Sequence, residues 1–108
     1  MALDLDSAAS LLDQLGNPTR LRIVRLLVRA GDEGRTVGDI QREIGIPAST
    51  LSHHLSHLRN AGVVWQEREG TLLHCFVDFK MVSELVEFLT AECCADMPAA
   101  KVRQRAAG

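Results

Sequence analysis

The chain has 108 residues, 46% of them apolar and 24% charged, with a formal net charge of −2. That is enough for one globular domain with one core, and it excludes both a disordered chain and two separate domains. The apolar runs are only a few residues long, which excludes a membrane-spanning helix, and the acidic start MALDLDSAAS lacks the basic-then-apolar layout of a signal peptide.

In chain order, Leu5, Ala8, Leu12 and Leu15 recur at helical spacing and predict a first helix with one apolar stripe, stopped by Gly16. NPTRLRIVRLLVRAG predicts a second, with Asn17 as cap, Pro18 in the first turn and Gly31 as terminator. Arg20, Arg22, Arg25 and Arg29 fall on it without an acid, whereas residues 1 to 19 carry Asp4, Asp6 and Asp13 without a base. A negative net charge therefore hides a basic patch of the kind phosphates feel, although a solvated helix face accounts for it equally well. DEGR reads as a loop. TVGDIQREIG predicts a short helix capped by Thr36, with Val37, Ile40 and Ile44 inward and Gly45 as its end. IPASTLSHHLSHLRNAG predicts another, with Pro47 near its start and Gly62 past its end. In VVWQEREGTLLHCFV the period drops to two, predicting a hairpin turning at Glu69–Gly70. DFKMVSELVEFLTAEC predicts a last helix with Val82, Leu85, Val86 and Leu89 on one stripe, ending towards Pro98.

A short helix, a tight turn, a second helix and a hairpin make the layout of a winged helix-turn-helix, a mainly α fold with a β wing. In the second of these helices Leu51, His54, Leu55 and Leu58 share one face and point inward. Ser49, Ser52, His53, Ser56 and His57 share the other, which is polar and uncharged. Small hydroxyl and imidazole donors suit a face that enters a major groove. Arg59 at the far end can reach a phosphate, and Arg68 and Gly70 lie at the tip of the wing. His53 and His54 are adjacent and diverge by about 100° on a helix, which argues against a metal held between them.

NPTRLRIVRLL, PASTLSHHLSHLRNAGVV and a hairpin with REG at its turn resemble the ArsR/SmtB family of bacterial metal-responsive repressors, over residues 10 to 90. The resemblance implies a homodimer built on the first and last helices, bound to double-stranded operator DNA until an effector releases it. It implies DNA-reading roles for Ser49, Thr50, Ser52, His53 and Ser56, and a wing role for Arg68. The chain also departs from that pattern. The short helix carries no Cys-x-Cys pair, and the last helix has Asp78 but no histidine. The arsenic and zinc sites best known in the family are thus absent. Family members with arsenic-binding cysteines at the end of the last helix are the variant that ECC resembles.

The expected setting is cytoplasmic, where Cys75, Cys93 and Cys94 stay reduced and metal binding or redox sensing outranks a structural disulfide. Thiolates select thiophilic ions, and zinc sites usually space paired cysteines by two or more residues. Adjacent cysteines therefore favour trivalent arsenic, as arsenite or methylarsenite, or antimony. No other cofactor is required. A helix C-terminus beside Glu92 and Asp96 is expected to raise the thiol pKa, favouring chelation over peroxide sensing. A thiol-redox or sulfide-sensing repressor of the same fold is the competing expectation. Cys75, alternating with Leu73 and Val77, is either a buried thiol or a third ligand bridging to a partner subunit. No Cys-x-x-Cys, nucleotide loop or catalytic acid pair is present, which argues against an enzyme. The chain divides into a DNA-binding and dimerisation domain, residues 1–92, and a cysteine-bearing tail, residues 93–108.

Overall fold

A computed structural model describes residues 3–98. Five helices and three strands follow in the order α1 (Leu5–Leu15), α2 (Pro18–Ala30), β1 (Arg35–Thr36), α3 (Val37–Ile44), α4 (Ala48–Asn60), β2 (Val64–Glu69), β3 (Leu72–Val77) and α5 (Phe79–Thr90). Four helix starts have a side-chain cap. Asp4, Asn17, Thr36 and Asp78 each accept from the backbone N–H three residues on, at 2.7, 3.1, 3.1 and 3.2 Å. Each such cap is worth about 1 kcal/mol. Gly45 ends α3 in the left-handed conformation, φ 75°, and so makes the tight turn into α4.

The core gathers around α2, which buries Ile23, Val24, Leu26 and Leu27. Ile40 of α3 and Leu51, Leu55 and Leu58 of α4 pack into the same cluster, with Val63, Val64, Cys75 and Val77 of the hairpin. The sheet order is β1-β3-β2, all antiparallel. β1 pairs Arg35 with Cys75 and Thr36 with His74. Arg35 was expected in a loop and Thr36 as the cap of the next helix, because a two-residue strand is too short to show a period. Glu69 pairs with Leu72, so the hairpin turns at Gly70–Thr71, one residue later than expected. Gly70, at φ 62°, takes the left-handed first position that two-residue hairpin loops demand. On the outer face of the hairpin Trp65 stacks on its cross-strand partner Phe76, with ring centroids 4.2 Å apart.

The two stripes expected on the first and last helices are each split. In α1, Ala8 and Leu11 are buried, while Leu5 and Leu12 are 69% and 41% exposed. In α5, Leu85 is buried and Val82 half-buried, while Val86 and Leu89 are 57% and 59% exposed. Each stripe is wider than one neighbour covers, so each helix keeps an uncovered apolar edge. α5 also stops at Thr90 rather than towards Pro98. The Thr90 hydroxyl donates back to the Val86 carbonyl at 2.9 Å, and Ala91 is extended, at φ −58° and ψ 139°. Residues 91–96 follow as turns, with Glu92 and Cys94 at φ 60° and 64°. The basic end of the chain, residues 99–108, lies outside the described residues.

Candidate nucleic-acid interface and thiol pair

The division of α4 into two faces holds residue by residue. Leu51, Leu55 and Leu58 are buried, and His54 is half-buried beside them. Burial, chiefly, pushes the His54 pKa down, and Coulombic interaction with Arg20, His53 and His57 acts in the same direction. Its Nδ1 is buried without a hydrogen-bond partner among the described residues. Ser49, Thr50, Ser52 and His53 are exposed, and Ser56 and His57 are half-exposed. Of the six side chains that a groove would meet, four are thus exposed, and Ser56 and His57 are partly buried, as His54 is. Their surface holds two hydroxyl pairs and two imidazoles and no acid, so nothing on it repels phosphate or base-edge acceptors.

Arg59 and Arg68 have different circumstances. Arg68 is exposed on β2, paired with Leu73 close to the hairpin tip. Arg59, also exposed, donates from Nη1 to Oε1 of Gln66 at 3.0 Å, which ties the end of α4 to β2. Gln66 in turn donates from Nε2 to the Cys75 thiol at 3.2 Å, across the strand pair. Gln66 was not singled out in the sequence; a polar residue in a strand carries no signal of its cross-strand partner. Arg22, Arg25 and Arg29 form an exposed face of α2, and Arg29 lies 3.7 Å from Glu43. That basic face is exposed to solvent, as is the polar face of α4.

The three cysteines fall into two environments. Cys75 is fully buried in the middle of the sheet, and burial pushes its thiol pKa up. Cys93 and Cys94 are exposed beyond α5, with their Sγ atoms 3.5 Å apart. The Cys94 pKa is raised, chiefly by its hydrogen bond to the Cys93 thiol and then by repulsion from that thiol's charged form. The direction was expected, but the cause is the neighbouring sulfur rather than the helix end and the acids Glu92 and Asp96. Among the described residues no cluster of three or more His, Cys, Asp or Glu side chains is poised to hold a metal ion within one chain. No helix among them is long and apolar enough to cross a membrane.

The imidazoles of His53 and His57, one helical turn apart, meet on the polar face of α4. Their Nε2 atoms are 3.1 Å apart and their rings stand edge to face at 4.5 Å between centroids. The spacing of four residues puts both side chains on one side of the helix, which the sequence carries in the string HHLSH.

A family model described as a helix-turn-helix domain matches residues 15–66, the span from the end of α1 into β2. The HTH-type transcriptional regulator MJ1325 of Methanocaldococcus jannaschii is 34% identical over 84 residues, covering 78% of this chain and 92% of its own length. Among solved structures, the homodimeric winged helix-turn-helix domain Mb0332 of Mycobacterium bovis, described as of ArsR-family type, superposes with a TM-score of 0.65. It is 27% identical, and the match covers 93% of this chain and 90% of that one. The chain belongs to the ArsR family of winged helix-turn-helix transcriptional regulators. ArsR2 of Halobacterium salinarum, assigned as the repressor of an arsenical resistance operon, is 37% identical over 71 residues. That match covers 66% of this ArsR-family chain and 56% of ArsR2. These relatives are described as transcriptional regulators, not as enzymes.

Proposed function

We propose that this ArsR-family regulator is a homodimeric repressor released from its operator by trivalent arsenic bound to Cys93 and Cys94. The observation that carries the reading is the exposed thiol pair with sulfurs 3.5 Å apart, close enough for one small ion to bond to both. Arsenite, as As(OH)3, exchanges two hydroxyl groups for two sulfurs: two As–S bonds form, and each thiol proton leaves with a hydroxyl as water. A methylated arsenical binds in the same way and keeps its methyl group. Cys75 is left out of this ligand set, because recruiting it would open the core and break its bond to Gln66. The arsenical-resistance assignment of ArsR2 supports the choice of effector.

The homodimer reading rests on the uncovered edges of α1 and α5, where Leu5, Leu12, Val86 and Leu89 are exposed, and on the homodimeric state of Mb0332. An ion held just past the end of α5 would then act on the dimer helices and so on the spacing of the two reading helices. The test is operator release, read by fluorescence anisotropy on DNA recovered by selection from random sequence. Arsenite, methylarsenite, antimonite, zinc, cadmium and peroxide are each titrated. Trivalent arsenicals are expected to release the wild-type protein, while Cys93→Ser and Cys94→Ser keep operator binding and lose release. Normal release by arsenicals in the Cys93→Ser, Cys94→Ser double variant would end this reading, as would release by peroxide alone.

A further inference from the structure

We propose that His53 and His57 form a second effector site, one for a divalent transition ion of the zinc, nickel or copper class, and that an ion held there competes directly with operator DNA. The site is separate from the thiol pair in both place and chemistry. It lies on α4, on the face that reads DNA, and its donors are imidazoles.

The geometry is that of a chelate. Residues four apart on a helix lie on the same side, one turn above the other, and two histidines so spaced are a recurrent transition-metal clamp. Metal–imidazole bonds of about 2.0–2.1 Å put two nitrogens of one ion about 2.9 Å apart at a right angle and about 3.3 Å apart at the tetrahedral angle. The 3.1 Å between the two Nε2 atoms lies between these limits, so neither side chain needs to move far. Without metal, one ring donates its Nε2–H to the other. When an ion enters, that proton shifts through solvent to Nδ1 of the same ring, and both Nε2 lone pairs face the ion with no net change in charge on the side chains. His54 cannot join, since it faces the core side of α4 with a buried Nδ1. The chain supplies two ligands, and water fills the remaining positions. Imidazole suits copper, nickel and zinc, with copper the tightest of the three.

Competition follows from the position. His53 and His57 stand among Ser49, Ser52 and Ser56 on the face offered to the major groove. An ion with its bound waters occupies the space of a base edge and takes the imidazole nitrogens that would meet it.

The test uses the full chain with Cys93→Ser and Cys94→Ser, so that thiol chelation plays no part and failure of the arsenic reading leaves the result unaffected. Calorimetry with Ni2+ and Cu2+ should show one ion per chain, bound more tightly for Cu2+. Affinity should fall at least tenfold in His53→Gln and in His57→Gln. Paramagnetic Ni2+ should broaden the ring protons of His53 and His57 before those of His54 and His74. On selected operator DNA, saturating Ni2+ should raise the Kd at least tenfold, and in His57→Gln the ratio of Kd with and without Ni2+ should return to about one. Equal metal affinity in the glutamine variants, or broadening centred on His54 or His74, would overturn the site. Metal binding at the pair that leaves operator affinity unchanged or tightens it would overturn the competition.

Discussion

Gly34 is the glycine, among the described residues, with the least room for a side chain. It sits at φ 64°, and a Cβ there would lie 2.5 Å from the Cys75 carbonyl oxygen and 2.7 Å from two ring carbons of Phe76. Neither neighbour can yield freely, because the carbonyl belongs to the central strand β3 and the ring is stacked on Trp65. Gly34→Ala is therefore expected to cost about 1–3 kcal/mol or more, from left-handed strain together with the clash, read as a lower urea midpoint at unchanged m-value. Gly70 makes the control: its φ is 62°, but nothing lies within 4 Å of the added carbon. Its alanine variant should lose only the backbone term, about 1–2 kcal/mol. Nothing in the string DEGR distinguishes Gly34 from any loop glycine; the close approach exists only once β1 has paired with β3.

At the scale of elements, α4 and the hairpin are tied into one unit. The Arg59–Gln66 bond fixes the end of the helix to the wing strand, and Asp78, after β3, donates its backbone N–H to the Val63 carbonyl at 2.8 Å, closing the base of the hairpin. In the proposed operator complex, a wing held in this way would carry Arg68 to the DNA backbone while α4 lies in the groove. Arg68→Ala is expected to weaken operator binding for all sequences alike and to reduce the slope of log K against log salt by about one unit. If affinity and slope are both unchanged in an anisotropy titration across salt, the wing does not touch phosphate. The two faces of α4 were legible beforehand, because leucines at helical spacing and a serine and histidine face opposite them are a pattern in the string. The turn at Gly70–Thr71 was not, because Glu69 is compatible with either register and the choice falls to which strand residues reach the core.

For the molecule as a whole, the proposed homodimer rests on the uncovered edges of α1 and α5. Leu12 and Val86 are 41% and 57% exposed, and a charge at such positions costs little in a monomer but is repelled from an apolar interface. The Leu12→Glu, Val86→Glu double variant should sediment as a folded monomer with a wild-type circular dichroism spectrum. Its operator affinity should fall by more than tenfold, because the two half-sites are no longer bound together. A variant that remains dimeric in sedimentation would place the interface elsewhere.

The order of helices and hairpin, the caps at Asn17 and Thr36, the inward face of α4 and the family were all present in the sequence, because each is a matter of local spacing or of a contiguous motif. Tertiary structure decided what depends on residues far apart in the chain. It split the apolar stripes of α1 and α5 into a buried and an open edge, since a stripe shows how much a helix wants to bury and not which neighbour covers it. It also buried Cys75 beneath Gln66 and joined Gln66 to Arg59, because hydrogen bonds across a strand pair depend on register. And it brought the His53 and His57 nitrogens to 3.1 Å, because helical spacing puts two side chains on one side but only their rotamers make them meet.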